Sequence, residues 1–308
     1  MNGASILFAT DLSGPARQCH ALTAALVRAL GAHLTILHVD DVAPESLDRV
    51  TELHAYLDVL ASFRRQRVEQ LESDLAALGV DFRFVIERGK PEREIDAYAR
   101  EHDVGLIVMG QHAHPGPLKK LLGSTTQRVA HLTDLPLLVV PIDDDAQDAA
   151  PSRAPVRLKT VLVPTAMTDA CGQALRAAID LAGKLGARVH ATHALGFPSF
   201  MPLIAEEGYA PALEEPQAQR EARCKELLVG HLRWEAQDTD VEGSVVVADT
   251  AVAGILKEAD RIGADLIAVP STGKGAVARF FLGSVTEALA KNARIPVLIF
   301  PPAYLAGW

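Results

Sequence analysis

The chain carries one glycine-spaced turn twice, and that duplication limits what it can fold into. The first copy of the turn reads Gly110, Gln111, His112, Ala113, then nine residues, then Gly123 and Ser124. The second reads Pro270, Ser271, Thr272, Gly273, then nine residues, then Gly283 and Ser284. An earlier segment fixes the register independently: Ile6 to Asp11 aligns with Val161 to Ala166 at an offset of 155. The glycine turns are offset by 160, so the second copy carries five extra residues after its second strand. A period of this length means two structural units of one kind, each with its own core.

At 308 residues the chain has room for both units, each of ordinary domain size. Hydrophobic content of 49% against 22% charged residues fits a compact protein rather than a disordered one. A formal charge of −9 argues against broad attraction to nucleic acid or an anionic membrane. Apolar runs fall short of the roughly 18 residues that a spanning helix requires. Residues 1–5 show neither the basic start nor the apolar stretch of a signal peptide. Cys19, Cys171 and Cys224 are odd in number and scattered, the pattern of reduced, packed thiols. The expected setting is cytoplasmic.

In the first copy, strand and helix signals alternate. Ile6–Thr10, Leu34–Val39, Phe82–Ile86, Gly105–Met109 and Leu137–Pro141 are short apolar runs. Between the first two, Ser13 and Pro15 start a helix whose inward stripe is Leu22, Leu26 and Ala29, and Gly31 stops it. Val68, Leu71, Leu75 and Leu78 keep helical spacing up to Gly79, and Pro91 opens a helix carrying Ile95 and Ala99 inward. Ser124 to Leu132 is the last helix of the copy. Apolar strands separated by helices imply an α/β fold with a parallel sheet covered on both faces. In such a doubly wound sheet the ligand crevice lies beyond the carboxyl ends of the strands. Asp11, Val39 and the Gly110 turn all sit there.

The expected division is 1–143, a linker at 144–156, and 157–308, because residues 143–155 are acidic, alanine-rich and broken by proline. The second copy contains a long segment, 196–216, with four prolines and with Phe197, Phe200, Met201 and Tyr209. Packing over the sheet edge is its ordinary use, and a ligand lid its functional one.

The Gly110 turn suits an anion. Glycine allows close backbone approach, and the helix after Gly123 begins with amides that have no internal partner and a positive dipole end. Phosphate oxygens fit such a terminus. Ser124, Thr125 and Thr126 add hydroxyls, and Lys119 and Lys120 add charge. Asp11 offers a carboxylate to ribose hydroxyls or a base amine. Each feature alone is an ordinary strand-to-helix turn.

Together, their order and spacing resemble the universal stress protein family. The pattern is Gly, two residues, Gly, nine residues, then Gly-Ser or Gly-Thr, preceded by a strand-1 Asp. The resemblance spans nearly the whole chain and includes Leu106–Gly110, Leu121–Ser124, Leu135–Pro141 and Ile295–Pro301. It implies two five-stranded parallel sheets of order 3-2-1-4-5 with helices on both faces, forming an intrachain pseudo-dimer, and in one branch a bound ATP, with Mg²⁺ as its companion. Residue by residue, it implies Asp11, flanked by Ala9 and Thr10, near the adenosine, and Val39 at the adenine. Met109 and Gly110 fall near the ribose, and Gly123, Ser124, Thr125 and Thr126 at the phosphates. Ala113 stands where the pattern has glycine, a tolerable change at negative φ and a costly one at positive φ.

The second copy departs further, with Ala166 in place of Asp11, Ala194 in place of Val39, and Pro270 in place of Gly110. Proline fixes φ and removes a donor. One nucleotide site per chain, in the N-terminal half, is the expectation. Elsewhere, His112 and His114 lack a third ligand nearby in sequence. His54, His102 and His131 read as surface residues, and Arg64 to Arg67 as a solvated basic face. Neither GxSxG, HExxH nor GxxxxGK[ST] occurs. The expected role is regulatory or protective, with at most very slow ATP hydrolysis. The expected partners are the adenine nucleotide and an unidentified protein, not nucleic acid or membrane, with the last strands of the two copies pairing antiparallel and a further homodimer left open. The alternative is a module that binds no nucleotide and presents a hydrophobic surface through residues 197–213.

Overall fold

The structure is a computed structural model that describes residues 5–41, 51–111, 122–142, 156–196, 217–236, 239, 241–271 and 282–308. It divides into two compact units, Met1–Arg157 and Leu158–Trp308. The expected 197–213 surface, Ala113, His112, His114, Lys119 and Lys120 lie outside the described residues.

In the first unit the strands are β1 (Ser5–Ala9), β2 (Leu34–Asp40), β3 (Phe82–Arg88), β4 (Val104–Gly110) and β5 (Leu137–Val140). They pair in parallel in the order β3-β2-β1-β4-β5. The helices are α1 (His20–Leu30), α2 (Thr51–Ala77), α3 (Pro91–Glu101) and α4 (Ser124–Leu132). The chain moves outward from β1 to β3, then returns to the other side of β1 as β4. That reversal leaves a crevice at the carboxyl ends of β1 and β4.

Burial follows position in the sheet. Ile6, Leu7, Ile107 and Val108 of the two inner strands are 0% exposed, as strands covered on both faces require. On β3, at the edge, Arg83, Ile86 and Arg88 are exposed. A short 3₁₀ helix, Pro15–Cys19, precedes α1, and Gly31 ends α1 at φ 59°, where a side chain would be strained. The inward stripe of α1 includes Leu22 and Leu26 as expected, but Ala29 is exposed and Val27 is buried instead. Ala29 falls in the last turn of α1, just before Gly31 ends it, and helical spacing does not say how far along the helix the cover extends.

A polar cluster ties α2 to this region. Arg17 donates to both carboxylate oxygens of Asp74, at 2.8 and 3.0 Å, and Gln70 donates a third bond at 3.0 Å. His20 Nδ1 lies 3.2 Å from Asp74. Burial pushes the His20 imidazole down to about 4, against the raising effect of Asp74.

The second unit repeats the plan with β6 (Thr160–Pro164), β7 (Arg188–Gly196), β8 (Glu242–Ala248), β9 (Leu266–Pro270) and β10 (Val297–Phe300). The order is β8-β7-β6-β9-β10, again parallel. In each unit's own numbering, both sheets run 3-2-1-4-5. The helices are α5 (Asp169–Leu185), α6 (Gln217–Ala236), α7 (Ala251–Ile262), α8 (Ser284–Asn292) and the short α9 (Pro302–Leu305). Among the described residues, no helix is long and apolar enough to cross a membrane.

Candidate functional site

The crevice of the first unit starts from a strained turn. Just beyond β1, Thr10 donates its amide to Leu37 O at 3.0 Å, and Leu12 then adopts φ 61°. A left-handed non-glycine residue needs support from its surroundings. The Thr10 hydroxyl supplies it by accepting the Leu12 amide at 3.0 Å. Between them, Asp11 is exposed and accepts the Ser13 amide on Oδ1 at 2.9 Å. The turn thus holds one carboxylate at the mouth of the crevice.

The opposite wall is the junction of β4 and α4. Gln111 donates to Val140 O at 2.8 Å, and Gly123 donates to Gln111 O at 2.7 Å. The Thr126 hydroxyl donates to Gly110 O at 2.8 Å. No side chain caps α4 at Gly123, whereas Thr250 caps α7 by accepting the Ala253 amide at 3.1 Å. The first turn of α4 therefore presents backbone amides without a side-chain acceptor, at the positive end of the helix. At Gly110 the Ile142 side chain packs close, and its end would have to shift for any larger residue. A Cβ there would lie 2.4 Å from Ile142 Cδ1 and 3.7 Å from Cys19 Sγ. Burial, with the nearby Asp11 charge, pushes the Cys19 thiol up to about 12, so it stays protonated and unreactive.

Between these walls lies a cavity of about 140 Å³. Ala9, Thr10, Asp11, Val39, Met109, Gly110, Gly123, Ser124, Thr125 and Thr126 all line it. Every sequence-derived site residue except Ala113 is thereby brought to one place. Apolar atoms of Phe8, Leu37, Pro91 and Ile95 complete the lining. Such a mixture gives a flat ring an apolar bed and its edges a few polar partners.

One part of the site escaped the sequence reading. His38 lines the cavity, and its Nδ1 donates to Thr10 O at 2.9 Å. Its Nε2 lies 3.3 Å from Asp40, which in turn pairs with Arg64 of α2. Arg64 is therefore not part of a purely solvated basic face. The signal lay in the repeat: His38 and His193 stand at the same offset as the strand-1 segments, and His193 Nδ1 donates to Thr165 O at 2.8 Å.

The second unit keeps this scaffold but loses the carboxylate, and Val285 stands in place of Thr125. Met167 adopts φ 54°, with its amide on the Thr165 hydroxyl at 2.9 Å. Gly283 donates to Ser271 O at 2.6 Å, and Thr286 donates to Pro270 O at 2.8 Å. Ala166, however, replaces the carboxylate, and its amide meets Cys171 Sγ at 3.4 Å. Glu287, in the first turn of α8, occupies the place of Gln127 and pairs with Lys291 at 2.5 Å. A carboxylate at that helix start already answers the dipole and opposes a phosphate. Among the described residues of both units, no group of three or more His, Cys, Asp or Glu side chains is placed to hold a metal.

Comparison with known proteins agrees with this geometry. The model of the universal stress protein family matches residues 4–141 and again 157–301. A universal stress protein of Mycobacterium tuberculosis is 28% identical over 201 residues, covering 64% of this chain and 62% of that relative. The chain thus spans less than two thirds of that relative's length. Universal stress protein YxiE of Bacillus subtilis is 29% identical over 139 residues, covering 42% of this chain and 94% of its own. The crystal structure of a universal stress protein from Archaeoglobus fulgidus superposes with a TM-score of 0.64 at 20% identity, covering 97% of this chain and 98% of the other. Two matched regions, one five-strand order found in both units and one repeated turn make this chain a member of the universal stress protein family, built as a tandem of two such domains.

Proposed function

We propose that the first unit binds ATP or a related adenine nucleotide, and that occupancy alters the surface offered to a protein partner in a cytoplasmic stress response. The observation that carries this reading is the single cavity that joins Asp11 to the uncapped start of α4. The enclosed space suits the base end of the nucleotide, beside Val39 and the apolar bed. Asp11 accepts from ribose hydroxyls. The phosphates extend along the open start of α4, where the amides and the Ser124 and Thr125 hydroxyls donate to them. Mg²⁺, if present, is held mainly by the phosphates themselves, in keeping with its reluctance to shed water.

The second unit offers the same backbone but neither the carboxylate nor an unopposed helix start, so it is read as a partner domain without a nucleotide. Native mass spectrometry of freshly purified protein tests the reading. A retained mass matching one adenine nucleotide per chain supports it. Apo protein that fails to take up ATP, ADP or AMP in titration calorimetry overturns it.

A further inference from the structure

A cavity of about 860 Å³ in the second unit lies along the outer side of β8, between α6 and α7. Five consecutive residues of β8, Gly243 to Val247, line it, so the groove follows the strand itself. β8 ends its sheet, and among the described residues no strand pairs with its outer side. An unpaired strand edge is a row of donors and acceptors ready for another strand.

Natural edges are usually blunted by charge, and β3, the equivalent edge of the first unit, carries Arg83, Glu87 and Arg88. After Glu242, β8 reads Gly243, Ser244, Val245, Val246, Val247, Ala248, without a charge. Val245 is buried, and Gly243 and Ser244 are engaged within the unit. A Cβ at Gly243 would lie 2.6 Å from Leu232 Cδ1, so the glycine lets α6 close on the strand. The Ser244 hydroxyl donates to Glu258 at 2.5 Å and lies 2.9 Å from His190 Nε2. Hydrogen bonding from Arg261 holds the Glu258 carboxyl down to about 2, too weak a base to make Ser244 a nucleophile. The backbone edge is the chemistry that remains.

The rim indicates what would lie there. Lys225, Arg233, Lys257 and Arg261 line the groove; Glu221 pairs with Lys225 and Glu258 with Arg261, beside which Glu242 also lies, so Arg233 and Lys257 carry the excess positive charge. On a chain of net charge −9, this is a local reversal of sign. A second copy docking edge to edge would set these cations against each other. We propose that the outer edge of β8 receives an extended acidic peptide segment of another protein as an added strand. Backbone hydrogen bonds provide affinity in this mode of recognition, and the flanking side chains provide specificity. Val229, 56% exposed, gives the peptide an apolar contact beside the cations.

Fluorescence anisotropy of the full chain tests this with a fluorescein-labelled ten-residue peptide alternating Val or Thr with Glu. The expected result is saturable binding, weakened at least about tenfold when Lys replaces Glu in the peptide or in the protein variant K225E/K257E. Two further peptides, N-methylated at alternate residues so that each has one edge blocked, keep the protein unaltered, and one of them loses binding. No saturable binding overturns the proposal, as does equal binding of the Glu and Lys peptides, or full binding of both methylated peptides. A dimer in sedimentation velocity that K225E/K257E disrupts assigns the edge to a second copy and also overturns it.

Discussion

Thr126 spends its hydroxyl proton on Gly110: Oγ1 donates to the glycine carbonyl at 2.8 Å, fastening the first turn of α4 to the end of β4. Thr286 does the same for Pro270 at the same distance. The three successive hydroxyls are therefore not equivalent. Ser124 and Thr125 remain as donors to a ligand, and Thr126 is a fastener. Thr126→Val keeps the shape and leaves a carbonyl unsatisfied, at a cost of about 1–2 kcal/mol in chemical denaturation. Ser124→Ala and Thr125→Ala leave stability nearly unchanged and weaken ATP more than adenosine, as calorimetry with both ligands will show.

Stoichiometry distinguishes the units. Gly123 sits at φ −53° and ψ 137°, a conformation open to any residue, so Gly123→Val fills the phosphate approach without straining the backbone. We expect it to weaken ATP by at least about a hundredfold, near 3 kcal/mol. Gly283→Val, at φ −60° and ψ 144°, leaves binding unchanged. Two equivalent sites per chain in a titration would contradict the proposed function.

Asp11→Ala reproduces the residue of the second unit. Because Ala166 is followed by the same left-handed turn at Met167, the carboxylate is not needed to form it. The variant is expected to melt close to the parent and to bind adenosine about tenfold or more weakly. A large fall in melting temperature would assign Asp11 to the scaffold instead.

What could be read from the sequence, and what could not, divides along physical lines. Strands buried on both faces, such as Ile6–Phe8 and Ile107–Val108, announce themselves as apolar runs, and so fixed both sheets. The site residues were legible because glycine, aspartate and a hydroxyl run have few reasons to recur at set spacing. Leu12 was not, since leucine gives no sign of left-handed backbone. The His38–Asp40–Arg64 chain was not, since its members meet only when α2 lies beside β2. Ala29 was misplaced because it lies in the last turn of α1, and apolar spacing does not show where the covering of a helix stops.

The buried imidazole of His20 makes stability depend on pH. Its folded value of about 4 lies below the ordinary 6.5, so the unfolded chain binds the extra proton first. Its contribution is complete above about pH 6.5 and is lost as pH falls to about 4, on the order of 3 kcal/mol. Burial raises the carboxyl of Asp74, but hydrogen bonds from Arg17 and Gln70 outweigh this and leave it lowered. Its share is lost only at more acidic pH. Urea unfolding of the parent and of His20→Gln at pH 7 and pH 4.5 should show the slope between these values flattened in the variant.

ATP hydrolysis, if any, is expected to be slower than about one turnover per minute. Phosphoryl transfer needs a positioned water, neutralised charge and a group that orients the nucleophile. Asp11 is assigned to the proposed adenosine end of the cavity, and His38 spends its Nδ1 proton on Thr10 O. Phosphate release with Mg²⁺ in the parent and in H112A/H114A is the check. Turnover each second, lost in the double variant while binding persists, would make the protein an enzyme.

Leu12 and Met167 share one unfavourable backbone state at matching positions, φ 61° and 54°, although only the first stands beside a carboxylate. Left-handed geometry costs a non-glycine residue roughly 1–2 kcal/mol. Bearing that cost in a unit without the carboxylate means that the turn belongs to the architecture and precedes any ligand in the logic of the fold. The chain consequently carries its own blank. Under the proposed function, in spectroscopy or calorimetry of the intact protein the C-terminal half is a covalently attached, sequence-related control for nucleotide recognition at the strand-end crevice alone.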